Sequence, residues 1–308
     1  MRAATVVELA DRYGVELPEG LRDGRYGFRD FRHFIDEWLA GLRCLRSPED
    51  LHRVAFEFCE DQAAQGVRYA EVSFSLPDHR ETFRDWDEPL GVLAGMREGE
   101  RAMGIRCLVY VDVVRGIDMD LSRRAMRVAV RHRNEGVIGI GLGGEERFPP
   151  EPYAEIFREA REAGLRSIPH AGETHGPSSI RGAIEALGAD RIGHGIRVLE
   201  DPLLVQEVRE RGLGLDVCPT SNLMTRSVQS LPKHPLPAML DAGLLCSLAS
   251  DDPSLFHSPI TAEYTLCREV FGFDDRRLAE LARNGVRASF AGPEMKAELL
   301  EAIDRWLA

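Results

Sequence analysis

None of the nine histidines stands in a His-x-His pair, and none of the six cysteines in a Cys-x-x-Cys pair. The second absence removes zinc knuckles and ribbons. Cys44, Cys59, Cys107, Cys218, Cys246 and Cys267 are scattered, and in a chain of 308 residues they read as reduced thiols, not a disulfide framework. There is no apolar run of about 18 residues, so no membrane span is expected. The start, Met1-Arg2-Ala3-Ala4-Thr5, carries no apolar signal core, and a cytoplasmic location is expected. Low-complexity tracts and short repeats do not stand out. Positive charge is in deficit, with 39 Lys+Arg against 51 Asp+Glu and a net charge of −12. Such a balance argues against a protein whose main task is to hold phosphate backbones, but it admits a small nucleoside as ligand.

What is present is a chain 44% hydrophobic, enough to fill a large core. Apolar runs of strand length alternate with helical patterns. Strands are predicted at Val67–Ser75, Ile105–Val114, Gly136–Gly143, Leu165–His170, Arg191–Gly195, Gly212–Cys218 and Gly243–Ser250. Helices are predicted between them, one capped by Ser47 and running to about Gln65, others at Glu88–Met103, Leu121–Arg133, Tyr153–Ala163, Ser178–Leu187, Pro202–Arg211 and Leu236–Ala242. Helical patterns also precede the first strand, and three close the chain. Strands separated by helices imply parallel βαβ units and the α/β class. A TIM barrel needs eight such strands and seven are found, a count that an open doubly wound sheet also tolerates.

The polar residues fall at strand ends: the Gly143-Gly144-Glu145 turn, His170, His194, the Cys218–Asn222 turn and Asp251-Asp252. In a barrel all strand C-termini meet on one face, so residues far apart in sequence become neighbours. His170-Ala171-Gly172-Glu173 can aim an imidazole and a carboxyl into one pocket, or be an ordinary loop. Arg191-Ile192-Gly193-His194-Gly195 frees a ring for close approach to a ligand, or holds a core histidine. Adjacent Asp251 and Asp252 resist burial unless a cation or donors meet them, or they cap a helix before Pro253. Cys218-Pro219-Thr220-Ser221-Asn222 reads as a turn whose side chains support the site. Gly139-Ile140-Gly141-Leu142-Gly143-Gly144 fits the dinucleotide pattern, but Glu145 and Glu146 follow where a helix should open and would face a pyrophosphate, so that reading is rejected. His79-Arg80-Glu81 matches half of a cytidine-type zinc deaminase motif whose cysteine partner is missing.

Taken in order, HAGE, RIGHG, CPTSN and SDDP at these strand ends resemble the adenosine deaminase family, metal-dependent hydrolases of the amidohydrolase type. The opening TVVELADRYGV and the strand YAEVSFS fit as well, so the resemblance spans nearly the whole chain. It implies a single domain over residues 1–308 built as a (β/α)8 TIM barrel. The first strand is missing, and extra helices follow the first barrel position and the last strand. It implies hydrolytic deamination of adenosine or an adenosine-like 6-aminopurine with one Zn²⁺ per chain. The alternatives are an adenine or aminodeoxyfutalosine deaminase and, in another class, a catalytically silent purine-binding protein. By resemblance, His170 and Asp251 are metal ligands. Glu173 donates a proton to purine N1, and His194 orients the attacking water and assists its deprotonation. Asp252 bonds N7, and the backbone N–H of Gly144 meets N3. The expected partner is a small purine nucleoside or base, not nucleic acid or a membrane, and a homo-oligomer is left open.

Three departures from the family pattern stand out. The family's first strand carries His-x-His, two of its metal ligands; here no such pair occurs. With His170 and Asp251 alone, two protein donors make a poor zinc site, so weak zinc and little activity are expected of the chain as it stands. Ala249-Ser250 replace the usual Asn-Thr before the paired aspartates. Gly141-Leu142-Gly143-Gly144 replaces a turn that usually reads Asp-Leu-Ala-Gly.

Overall fold

The structure is a computed structural model that describes every residue except 25–27, 84 and 87–89. Among the described residues, seven strands form one sheet in the order of the chain, every neighbouring pair parallel. They are β1 (Tyr69–Phe74), β2 (Arg106–Val114), β3 (Val137–Gly143), β4 (Arg166–Ala171), β5 (Arg191–His194), β6 (Gly214–Val217) and β7 (Leu245–Leu248). The sheet curls into a half-barrel with helices outside, an incomplete (β/α)8 barrel. Each observed strand lies within, or within one residue of, its predicted run. The glycines at several predicted strand starts belong instead to turns: Gly212 caps the helix Pro202–Arg211 in the left-handed conformation (φ 61°).

Alternation along β2 shows how the barrel is filled. Val109, Val111 and Val113 point outward into a core shared with the covering helices, at 1%, 0% and 0% exposure. Tyr110 and Asp112 point inward. A second core is built on β4–β7 and their helices around Ile180, Ile192, Leu215 and Met239. Among the described residues, β1 and β7 are each paired on one side only. A cavity of about 930 Å³ lies between them, with Glu71 and Ser73 on one wall and Ser247 and Leu248 on the other. Arg191 is buried there between the carboxylates of Glu71 and Asp216.

The helix Pro48–Ala64 begins as expected. Ser47 and Asp50 exchange side-chain and backbone hydrogen bonds in a capping box, with proline in the first turn. The predicted helix at Glu88–Met103 is seen as Gly91–Met103; residues 88 and 89 lie outside the described residues. Three helices, Ile260–Phe271, Asp275–Ala288 and Pro293–Leu307, close the chain. One expectation is corrected: the Cys218–Asn222 segment is not a plain turn but the start of a short helix, Pro219–Met224, because Pro219 presets the first helical φ. No helix is long and apolar enough to cross a membrane among the described residues.

Candidate active site

Residues from four strand ends meet at the carboxyl face of the sheet. Gly144, His170, Glu173, His194, Asp251 and Asp252 all line one cavity of about 550 Å³. His170 is the penultimate residue of β4 and Glu173 sits in the turn after it. His194 ends β5, and the two aspartates follow β7. His194 (φ 65°) and Asp251 (φ 55°) both adopt the left-handed conformation that non-glycine residues avoid. Such backbone outliers cluster at functional sites, where the surroundings hold them. Gly144 (φ 90°) turns the chain where a Cβ would lie 3.3 Å from the backbone nitrogen of Arg115.

Donor atoms of His170, His194 and Asp251 lie within 4.8 Å of one another. The rings of His170 and His194 are 5.4 Å apart. Ser221 donates to Asp251 Oδ2 at 2.6 Å, and His170 Nδ1 is buried without a partner. Imidazole and carboxylate are the donor types that suit a zinc-like divalent ion with positions left open to water. The group fits such an ion in chemistry and placement, although only His170 and Asp251 are expected as ligands and their number makes the hold weak.

Glu173 is buried beside this group. Its Oε1 is within hydrogen-bond reach of Thr225 Oγ1 and Ser227 Oγ, each at 3.0 Å, and of Asn222 Nδ2 at 3.4 Å. Its Oε2 lies 3.6 Å from His194 Nε2. Burial pushes the Glu173 carboxyl above its usual range; His194 opposes this and Asp251 adds to it. For His194, burial acts downward, but Glu173 and Asp251 outweigh it and the ring is raised. Asp252 is pushed up to about 7, first by burial and then by the adjacent Asp251 charge. Its side chain makes no cap bond to the helix Pro253–Phe256, which leaves it to the cavity.

Several residues that build the site had no motif to announce them. Glu146, one residue past the glycine turn, is 6% exposed. It accepts from the backbone N–H of Gly172 (2.7 Å), Glu173 (2.8 Å) and Thr174 (2.8 Å) and from Ser179 Oγ (2.5 Å). Burial alone would raise its carboxyl, but the Ser179 and backbone bonds, with Arg115, hold it below the usual range. Arg115 extends from the end of β2 and donates to the carbonyls of His170 (2.5 Å) and Phe148 (2.9 Å). One charged side chain thus grips the carbonyl side of the His170–Glu173 segment and another its amide side. Asp112 occupies the space over Gly141, where a Cβ would sit 1.9 Å from Asp112 Oδ1. Burial lifts this carboxyl to about 6, against the pull of His170. Gly141, one of the residues that depart from the family pattern, therefore makes room for a carboxylate from the neighbouring strand.

The chain as a whole is similar to known proteins. The adenosine deaminase family pattern matches residues 1–306. An aminodeoxyfutalosine deaminase from Streptomyces coelicolor is 38% identical over 98% of this chain and 80% of that protein. An adenine deaminase from Rhodospirillum rubrum is 34% identical over 96% and 89%. Among solved structures, an adenine deaminase from Arthrobacter aurescens superposes with a TM-score of 0.93 at 33% identity, covering 99% of this chain and 95% of that one. A zinc-bound amidohydrolase from Burkholderia ambifaria gives 0.90 at 28% identity, covering 99% and 86%. The chain belongs to the adenosine deaminase family, hydrolytic deaminases that act on a C–N bond.

Proposed function

We propose that the chain hydrolyses the 6-amino group of adenosine or an adenosine-like purine nucleoside, releasing ammonia and leaving a 6-oxopurine, with zinc as its metal. The supporting observation is the convergence of Glu173, His194, His170, Asp251, Asp252 and Gly144 on one cavity. Its volume lies within the range of about 300–1,000 Å³ of ligand pockets, so a nucleoside as well as a base can enter. His170 and Asp251 would hold the ion. When bound, zinc acidifies water to a pKa of about 7 and so supplies a nucleophile at neutral pH.

The chain's own groups do the rest. Glu173, whose neutral form burial favours, donates its proton to N1, which draws electrons from C6 and prepares it for attack. His194 orients the attacking water. Asp252 meets N7; both are acceptors when the acid is ionised, so a proton is shared between them, a state its raised pKa favours. The Gly144 N–H meets N3. Six buried free cysteines accord with a reducing, cytoplasmic setting.

Adenine and aminodeoxyfutalosine are the alternative substrates. The carboxylate of the latter would want a cation: Arg147 lies on the cavity wall, whereas Arg226 is not among the lining residues. Ultraviolet assays on adenosine, adenine and aminodeoxyfutalosine with zinc in excess separate these readings. Binding of all three without loss of ammonia would favour a silent purine-binding protein.

A further inference from the structure

The direction of a hydrogen-bond chain behind His194 can be read from its far end. The backbone N–H of Leu236 donates to His234 Nδ1 at 3.1 Å. A backbone N–H can only donate, so this ring nitrogen is an acceptor. Burial lowers His234 to about 4, so the ring is neutral and its single hydrogen is on Nε2. That nitrogen faces Asn222 Oδ1 at 3.2 Å. The amide is thereby oriented with Nδ2 toward the cavity, where its two hydrogens meet Glu173 Oε1 (3.4 Å) and His194 Nδ1 (3.3 Å). The flipped amide would set its hydrogens against the Nε2–H of His234. Asn222 is 0% exposed and His234 4%, which keeps bulk water from relieving such a clash.

We infer that His234 and Asn222 are positioning residues that fix the tautomer of His194, leaving its Nε2 with the hydrogen and making it a donor toward the reacting atoms. Nδ1 of His194 has its lone pair taken by Asn222. Nε2 then gives a hydrogen bond to the oxygen that attacks C6, and this ring neither takes that oxygen's proton nor serves as a third metal donor. The consequence for catalysis rests on the proposed deaminase reading and replaces the expectation that His194 assists deprotonation; the tautomer itself does not depend on that reading.

Long-range ¹H–¹⁵N spectra of the metal-free full chain with ¹⁵N-labelled histidine, at pH 8, read the tautomer directly. His194→Gln assigns the signal. The expected wild-type pattern is neutral Nε2–H for both His194 and His234. Asn222→Leu is expected to release His194 into a mixture of tautomers, and His234→Gln, which keeps a donor toward Asn222, to preserve Nε2–H. An Nδ1–H, mixed or imidazolium pattern in the wild type overturns the inference, as does a His194 signal unmoved by Asn222→Leu. Should Asn222→Leu fail to fold, the wild-type and His234→Gln spectra still decide. With turnover established, Asn222→Leu is expected to lower kcat by about 10–100-fold with KM nearly unchanged. Turnover with the wrong tautomer sinks the inference alone; the right tautomer with no turnover sinks the deaminase reading alone.

Discussion

Replacing Glu146 by Gln removes one charge and turns one acceptor into a donor at the most heavily bonded carboxylate beside the site. The better rotamer keeps oxygen where Oε1 stands, facing the N–H groups of Glu173 and Thr174. The amide nitrogen then faces the N–H of Gly172 and the hydroxyl of Ser179. The hydroxyl can turn to accept, but the Gly172 N–H cannot. One buried N–H left without a partner costs about 2 kcal/mol, and two surviving bonds lose charge assistance at about 1 kcal/mol each, for a total of about 4 kcal/mol. Urea unfolding followed by circular dichroism measures this as a lower midpoint at unchanged slope. The pH dependence has a definite sign. Glu146 is lowered in the folded state from an ordinary value of 4.5, so its contribution is full above pH 4.5 and is lost as pH falls through the folded value. The gap between wild type and Glu146→Gln is therefore expected to narrow in acid. Glu145→Gln, a change at a half-buried rim carboxylate paired with the exposed Arg32 and Arg147, serves as control and is expected to cost less than about 1 kcal/mol. A loss at Glu146 below about 1 kcal/mol, or a gap that widens in acid, would refute the reasoning.

Zinc affinity separates the metal donors: His170→Ala is expected to weaken binding by about tenfold or more, whereas His194→Gln leaves it within about threefold. Isothermal titration with zinc reads both, and equal losses would show that His194 is a ligand. Glu173→Gln is expected to lower kcat by about 10²–10⁴-fold while purine nucleoside binding persists, since the amide cannot deliver the N1 proton. Stopped turnover with intact binding checks this. Gly141→Ala is expected to cost about 1–3 kcal/mol by overpacking, because its Cβ would lie 1.9 Å from Asp112 Oδ1. In an Asp112→Ala background the thermal-shift loss should shrink to what the 3.0 Å approach to the Ile168 carbonyl leaves; additive losses would contradict the contact.

The strand ends were legible because each carries a reactive residue directly after an apolar run, and parallel order alone brings such ends together. That is why His170, Glu173, His194, Asp251 and Asp252 could be named from sequence and share one cavity. Their supports were not legible. Glu146 was visible only as a charge hostile to a phosphate; its work lies in accepting three backbone N–H groups from another strand's turn, which no local pattern encodes. Arg115 and His234 act on partners 55 and 12 residues away, through contacts that only the fold creates. Asn222 was read as a supporting hydrogen-bonding residue, but its direction depends on the N–H of Leu236. The glycines of the GLGG turn read as a departure from the family pattern, and the physical reason for Gly141, the Asp112 carboxylate over it, lies on the neighbouring strand.

The central claim is hydrolysis at purine C6 by these strand-end residues. Ammonia release from adenosine, adenine and aminodeoxyfutalosine, measured with zinc in excess and again after chelation, tests it most directly. The expected result is slow ammonia release that needs zinc in excess, in keeping with a weak metal hold, faster on a nucleoside than on adenine and abolished by His170→Ala. Nucleoside bound in the cavity with no ammonia released under zinc excess would contradict it.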